Sequence, residues 1–433
     1  MIEEYAGLLG FLVTLILILL RVPVAVAMGT VGLVGAAILS DWNQVTYVLG
    51  NAPFEAISSY GLSVVPLFIF MGVFAAHAGL SQNLYNGMQA LLGHLRGGLA
   101  IATIGACAAF GAICGSSLAT AATMSKVALP EMQRHGYPSS LAAATIAAGG
   151  TLGVLIPPSI IIVIYALLTQ QSIGALFAAA LIPGILGTLL YIGAITVLAR
   201  KIPFPSAHHR QPWSQRFRAL VRVWDVALLF LVVIGGIYAG LFSPTEAAAV
   251  GASGTFLFAL VRKKLNRHIF FNALTETATT TGMIFLILIG AALFNYFIET
   301  SQLPQRLVLH IEQLDWPPFS ILLLLLLIYL ILGCFMDSLS MMLLTVPIVF
   351  PLITALGYDP IWFGIIVVTV VELGLITPPV GMNLFIIQGA APEIPLSTIV
   401  RGIVPFIMAD IIRMMLLVSF PSITLWLPKT LGF

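Results

Sequence analysis

The chain has 433 residues, 60% of them hydrophobic and only 8% charged, with a mean hydropathy of +1.09. Soluble globular domains are roughly 45–50% apolar and about 25% charged, so a water-soluble fold is excluded. Unbroken apolar runs such as Leu8–Leu20 and Ile321–Leu332 also exclude a transmembrane β-barrel, whose strands alternate in short segments.

What remains is an all-α polytopic membrane protein, long enough for ten or more spans of about 20 residues. Glu3 and Glu4 precede the first apolar run, without the basic region of a cleaved signal peptide, so that run is expected to be the first membrane helix. Helix one covers about 6–20 and ends at Arg21; helix two, about 24–40, returns to Asp41; helix three covers about 62–79. An amphipathic stretch, Gln82–Arg96, follows.

The segment 98–132 is interrupted by Cys114-Gly115-Ser116-Ser117 and has basic flanks, Arg96 on one side and Arg134 and His135 on the other. A single crossing would put those flanks on opposite faces, so the segment reads as a re-entrant hairpin with its tip at Gly115–Ser117. Such non-helical backbone at membrane depth is tolerated only where protein or a water-filled cavity surrounds it. The segment 139–168 carries Gly149-Gly150 and Pro157-Pro158 in its middle and is expected to be a discontinuous helix. A helix over about 174–198 closes the first half, 1–200.

Residues 201–225 form a basic linker. Arg200, Lys201, Arg210, Arg216, Arg218 and Arg222, with Arg262, Lys263, Lys264 and Arg267 further on, make up ten of the eighteen Lys and Arg residues. The positive-inside rule places both clusters in the cytoplasm, which puts the N-terminus, and by parity the C-terminus, in the periplasm. The second half, 226–433, reads as helices over about 226–242 and 245–261, a surface arm over 268–280, and a helix over about 282–299. An amphipathic stretch (Ser301–Trp316), a hairpin (319–356), a broken helix (361–387) and a last helix (about 402–426) complete it. The arm over 268–280 has its counterpart at 44–60.

An offset of 221 residues relates the halves. It carries Pro23 to Pro244, Pro130 to Pro351, Gly136-Tyr137 to Gly357-Tyr358, Gly153 to Gly374 and Pro157-Pro158 to Pro378-Pro379. Ser116 maps to Asp337. Because the first half starts outside and the second inside, the expectation is an inverted repeat, a pattern typical of secondary transporters.

Gly115 through Met124, Gly153 through Ser159, Ser243-Pro244-Thr245-Glu246-Ala247, Phe335-Met336-Asp337 and Gly374 through Gly381 together resemble the large, DctM-like membrane subunit of tripartite ATP-independent periplasmic (TRAP) transporters. The resemblance spans essentially the whole chain. It implies a bacterial inner-membrane, sodium-driven importer of an organic acid, such as a C4-dicarboxylate or sialic acid, working as an elevator. It also implies two partners, a small four-helix (DctQ-like) membrane subunit and a periplasmic (DctP-like) substrate-binding protein. No nucleic-acid partner is expected.

Two tips at one depth expose free carbonyls, which suit a small hard cation, and helix N-termini, which suit a carboxylate. Mapped by the repeat, the first Na+ site would use Ser116 with carbonyls near Cys114, Gly153, Ile156 and Pro158. The second would use Asp337 with Gly374, Thr377, Pro379 and Met382. The organic acid would sit between the tips, near Ser117, Ser340 and Asn383.

Plainer readings exist for several of these residues. Gly115–Ser117 suits a small-residue packing patch, the Pro pairs suit simple kinks, and Asp337 suits a helix cap. Ser243-Pro244-Thr245-Glu246 reads as a capping box, and Asp410 with Arg413 as an intrahelical pair with substrate access as the alternative. Glu372 stays open between packing and gating. His77, His94, His208 and His209 read as interfacial, and Cys107, Cys114 and Cys334 as small packing residues. Other functions remain in view. A stand-alone sodium-coupled divalent-anion symporter would share the two-tip architecture. An intramembrane enzyme is remote, since no His-Glu-x-x-His motif or nucleophile–base pair is present.

Overall fold

A computed structural model describes residues 2–201 and 212–433, all of whose regular structure is helical. Arg210, Gln211, His208 and His209 of the basic linker lie outside the described residues.

The first half opens with α1 (Ile2–Leu19), α2 (Val24–Leu39) and α3 (Trp42–Ser58). A 3-10 turn at Tyr60–Ser63 leads into α4 (Val64–His77), followed by α5 (Leu80–Leu92). The hairpin is α6 (Gly98–Cys114) and α7 (Ser117–Arg134); the broken helix is α8 (Ser139–Leu155) and α9 (Ile160–Thr169), bent by 41°. Next comes α10 (Ile173–Lys201), and then α11 (Trp213–Val221) leads into the second half. There, α12 (Trp224–Tyr238), α13 (Pro244–Val261), α14 (Arg267–Thr300) and α15 (Leu303–Gln313) precede a hairpin of α16 (Pro318–Gly333) and α17 (Ser338–Ala355). The second broken helix is α18 (Pro360–Leu375) and α19 (Met382–Ala390), and α20 (Leu396–Ser419) and α21 (Ser422–Leu431) end the chain.

Local chemistry explains the starts and stops. Ser243 and Glu246 form the expected box: the Ser243 N–H donates to Glu246 Oε2 at 2.8 Å, and the Glu246 N–H donates to Ser243 Oγ at 3.3 Å. Asp359 Oδ1 accepts from the N–H groups of Ile361 (2.9 Å) and Trp362 (3.0 Å), with Pro360 at the first helical position. Each broken helix stops at its proline pair, and both Pro157–Pro158 and Pro378–Pro379 are cis.

The offset of 221 reappears in helix boundaries. It carries Ser117–Arg134 to Ser338–Ala355 and Ser139 to Pro360, the bounds of α7 and α17 and the starts of α8 and α18. Packing is reciprocal in the same sense. Helix α14 lies on α2 and α13 on α4; α19 lies on α7 and α17 on α9; α20 lies on α8 and α10 on α18.

Two differences from the sequence reading have physical causes. Residues 268–280 form no separate arm but are continuous with the span that follows, in α14. The matching stretch of the first half contains Pro53, Gly61 and Pro66 and breaks at Ser59, whereas α14 contains no proline and its Gly282 is tolerated. The last segment is also two helices, because Pro421 cannot continue the ladder of α20.

Helix α8 is lined on all sides by small residues, Ala142–Ala144, Ala147–Gly150 and Gly153, and is buried among α6, α7 and α20. By contrast α1 exposes Leu8, Leu12, Ile16 and Leu19, and α16 exposes Leu323, Leu327 and Ile331. Such apolar faces belong in lipid. Six helices among the described residues are individually long and apolar enough to cross a bilayer.

Candidate functional site

Each hairpin turns directly against the break of its own half. In the first, Gly115 closes α6 in the left-handed region (φ +65°), where a Cβ would lie 2.8 Å from the Pro158 carbonyl oxygen. Glycine is required there on both counts. Below the tip α6 crosses α8 at Gly111 and Gly153; a Cβ on Gly153 would sit 3.1 Å from Gly111 Cα and 2.8 Å from Thr120 Oγ1. The Ser116 side chain caps α7, accepting from the Ala119 N–H at 3.4 Å.

The second tip repeats this plan with different side chains. Gly333 and Gly374 make the crossing, a Cβ on Gly374 falling 2.6 Å from Gly333 Cα. The Gly381 N–H donates to the Cys334 carbonyl at 3.0 Å, tying tip to break. Asp337 caps α17: Oδ2 accepts from the Ser340 N–H at 3.0 Å and Oδ1 from the Ser340 hydroxyl at 2.5 Å. The capping geometry anticipated as the plainer reading of Asp337 is therefore present. It still leaves lone pairs on both oxygens for a further ligand.

The two tips share one cavity of about 190 Å³. Cys114, Ser116 and Ser117 line it from the first tip and Asp337 and Ser338 from the second, with Ile160 and Ile161 of α9 behind them. The opposite wall is Ile69 and Val73 of α4 and Glu276, Thr280 and Met283 of α14. Among the described residues no Lys or Arg lines it, whereas Asp337 and Glu276 both do. Glu276 also meets His77 across the mouth, Oε2 to Nε2, at 3.3 Å.

The remaining sequence-predicted residues are distributed as follows. Gly153 and Gly374 lie under their tips at the helix crossings, and the Pro158 carbonyl faces Gly115. The Ile156 side chain is directed at Gly184 of α10. Thr377 turns its hydroxyl back to the Leu373 carbonyl at 2.6 Å. Pro379 is exposed and Met382 begins α19 half-buried. Ser340 and Asn383 are fully buried and do not line the cavity. Asn383 Nδ2 instead donates to the Ala147 carbonyl at 3.1 Å, joining the second broken helix to the first, and its Oδ1 has no partner.

Three residues at the site escaped sequence reasoning. Thr120 has a buried hydroxyl without a partner, next to Gly153; an orphaned buried oxygen costs free energy unless something else ligates it. Glu276 and Thr280 belong to the polar run Thr275-Glu276-Thr277-Ala278-Thr279-Thr280-Thr281. That run was the available signal, since polar side chains inside a membrane segment tend to face protein or a cavity. Among the described residues, no group of three His, Cys, Asp or Glu side chains is placed to hold a metal ion. Any cation at the tips would depend on carbonyl and hydroxyl oxygens plus the Asp337 carboxylate, with Glu276 on the facing wall.

Helices that break at mid-length and two hairpin tips closing on one cavity define an all-helical polytopic membrane fold. Its architecture is similar to that of the YdaH transporter from Alcanivorax borkumensis, with a TM-score of 0.65 over 98% of this chain and 99% of that one, at 16% identity. The family follows from sequence. Residues 11–423 match the DctM component of the tripartite ATP-independent periplasmic transporters. The chain is 38% identical over 382 residues to the C4-dicarboxylate TRAP transporter large permease protein DctM of Pseudomonas aeruginosa, covering 88% of each. It is 34% identical over 377 residues to the sialic acid TRAP transporter large permease protein SiaM of Vibrio cholerae, covering 86% of this chain and 87% of that one. The chain belongs to the DctM family; it is a transporter permease of the membrane and not an enzyme.

Proposed function

We propose that this permease is the large subunit of a sodium-gradient-driven importer in a bacterial inner membrane. It would receive a small organic acid from a periplasmic binding protein and work beside a small four-helix membrane subunit. Two relatives named for acids, a C4-dicarboxylate and a sialic acid permease, support the substrate class. The observation that carries the reading is the shared cavity. Among the described residues its lining includes two carboxylates, Asp337 and Glu276, and neither Lys nor Arg. An organic anion entering it alone meets like charge, which costs several kcal/mol. Cations entering with the anion remove that cost, so uptake is coupled to them.

The cation sites are the two tips. At the first, the Ser116 side chain, the unpartnered Thr120 hydroxyl and carbonyls near Cys114, Gly153, Ile156 and Pro158 offer neutral oxygens. The second offers Asp337 with carbonyls around Gly374, Thr377 and Pro379, and Met382 at the start of α19. The anion then lies between the first turns of α7 and α17, whose N-termini favour negative charge, against Ser117, while the buried Ser340 and Asn383 brace Asp337 and α8.

The cavity also lies along a seam. On one side are the tips and α9; on the other are α4 and α14, which pack on α13 and α2. This division supports an elevator, in which hairpins and broken helices move as a body against a frame built from two inverted halves.

Sodium-gradient-driven uptake in proteoliposomes tests the proposal, with the permease reconstituted beside its small subunit and the binding protein supplied outside. Uptake should require all three components and stop when the gradient is collapsed. Undiminished uptake without a sodium gradient would refute the coupling. Equal uptake without the binding protein would favour the stand-alone symporter.

A further inference from the structure

Glu372 is completely buried in α18, one turn before the second break. Its Oε1 accepts from the Ser338 hydroxyl at 2.8 Å, and Ser117, which lines the same cavity as Ser338, is the second hydroxyl near the carboxylate. The other oxygen, Oε2, is buried and forms no hydrogen bond. Ser117 and Ser338 are equivalent under the offset of 221, and each is the first residue of the second arm of its hairpin. A single carboxylate therefore stands between the first turns of α7 and α17, where two helix N-termini and two hydroxyls can stabilise it. Ser116 and Asp337 are the immediate chain neighbours of those serines. A shift of either serine thus moves a cation-site residue.

The equivalent of Glu372 in the first half is Thr151, which joins a second buried network. Thr151 Oγ1 lies 3.1 Å from Tyr191 Oη, which donates to Asp410 Oδ2 at 2.6 Å, and Asp410 pairs with Arg413 at 2.8 Å. That network ties the first break to α10 and α20 and touches neither serine. Among the described residues, the side chain that reaches both tips comes from the second half, with no equivalent in the first.

We infer that Glu372 is a positioning residue that straps the two hairpin tips together and so couples occupancy of one cation site to occupancy of the other. The inference rests on the sodium-driven reading above. When an ion draws one tip into its bound geometry, the shared carboxylate carries the serine of the other tip with it. The second ion then meets a tip already in place. This is positive cooperativity carried by a two-state contact.

The experiment is sodium titration of uptake in the reconstituted three-component system, for wild type, Glu372→Ala, Glu372→Gln, Ser338→Ala and Ser117→Ala. Wild type should give a Hill coefficient above one. Glu372→Ala should lower it toward the value given by two independent sites and raise the half-saturating sodium concentration about fivefold or more. Glutamine can accept from one serine and donate to the other, so Glu372→Gln should keep the wild-type Hill coefficient. Ser338→Ala should lower it, and adding Glu372→Ala to Ser338→Ala should lower it no further than Glu372→Ala does alone. A purely structural role would reduce maximal rate or yield and leave the Hill coefficient untouched, and that outcome overturns the strap. Loss of cooperativity in Glu372→Gln equal to that in Glu372→Ala also overturns it. Should Glu372→Ala fail to reach the membrane, an unchanged Hill coefficient in both serine variants is sufficient refutation. Wild-type uptake independent of sodium would overturn the sodium reading itself, a result distinguishable from cooperative wild-type uptake that the variants do not alter.

Discussion

Replacing Arg413 with methionine should destabilise the protein by about 3–5 kcal/mol, because it leaves an uncompensated buried charge. Asp410 and Arg413 are both 0% exposed. The carboxylate has two polar neighbours, the Arg413 guanidinium at 2.8 Å and the Tyr191 hydroxyl at 2.6 Å. A hydrogen bond to a charged group contributes about 1.5–3 kcal/mol, so Tyr191 alone offsets only part of the burial cost. Removing both charges should behave differently. In Asp410→Leu/Arg413→Met no charge remains to desolvate, and Tyr191 still has Thr151 at 3.1 Å. The double variant is expected within about 1 kcal/mol of wild type, as buried pairs replaced by apolar groups often are. The measurement is a double-mutant cycle by reversible unfolding in mixed micelles, with the coupling energy expected at about 3 kcal/mol. A cost below about 1 kcal/mol for Arg413→Met would refute the reasoning, and so would a double variant as unstable as the sum of the singles. Either result would mean that water reaches the pair.

Asp337→Asn should preserve the cap on α17, since asparagine caps as well as aspartate, while sodium-dependent uptake is lost or strongly weakened; Ser116→Ala should give a milder rise in the sodium requirement. Wild-type sodium dependence in Asp337→Asn would remove that carboxylate from the ion site. Thr120→Val keeps shape and removes the orphan hydroxyl, so stability should hold or rise in a thermal melt while the half-saturating sodium concentration increases. Gly374→Ala places a Cβ 2.6 Å from Gly333 Cα, backbone against backbone; a cost of about 1–3 kcal/mol is expected on unfolding, together with reduced uptake. Single cysteines at Lys264 should label only from the cytoplasm, and those at Asn43 and Gln302 only from the periplasm; all three positions are exposed. A shared labelling side for Lys264 and Asn43 would remove the inverted topology.

The features legible in the sequence are those with local causes. Glycine at Gly115, the capping serine at Ser243 and the proline pairs at Pro157 and Pro378 act on their own few residues of backbone, so pattern alone locates them. Asp410 and Arg413 meet within one helical turn and were legible for the same reason. What escaped depends on which helices become neighbours. Glu276 reaches the cavity only because α14 lies on α2 and α4, and Asn383 finds the Ala147 carbonyl across 236 residues of chain. Hydropathy does not encode such pairings. The expected boundary between the arm over 268–280 and the helix from about 282 falls inside α14, where the lone Gly282 costs a helix only about 1 kcal/mol.

The two halves share a backbone plan but not a charge plan, and this asymmetry has a consequence at the tips. The offset that carries Ser116 to Asp337 also carries Thr151 to Glu372 and Leu189 to Asp410, so in all three pairs the carboxylate is in the second half. Thr120, conversely, maps to Met341, so the orphan hydroxyl belongs to the first half alone. On the proposed sodium reading, an ion at the second tip would meet a formal negative charge, and an ion at the first only dipoles. At the effective dielectric of about 20 that suits protein sites, one charge at 4 Å contributes about 4 kcal/mol before desolvation is subtracted. The second site is therefore expected to fill at lower sodium concentration than the first. Filling in that order would place the weaker, later-filling site in control of the concentration at which uptake begins. In Asp337→Asn both proposed sites would be neutral, and sodium titration of uptake should show the difference between them disappear.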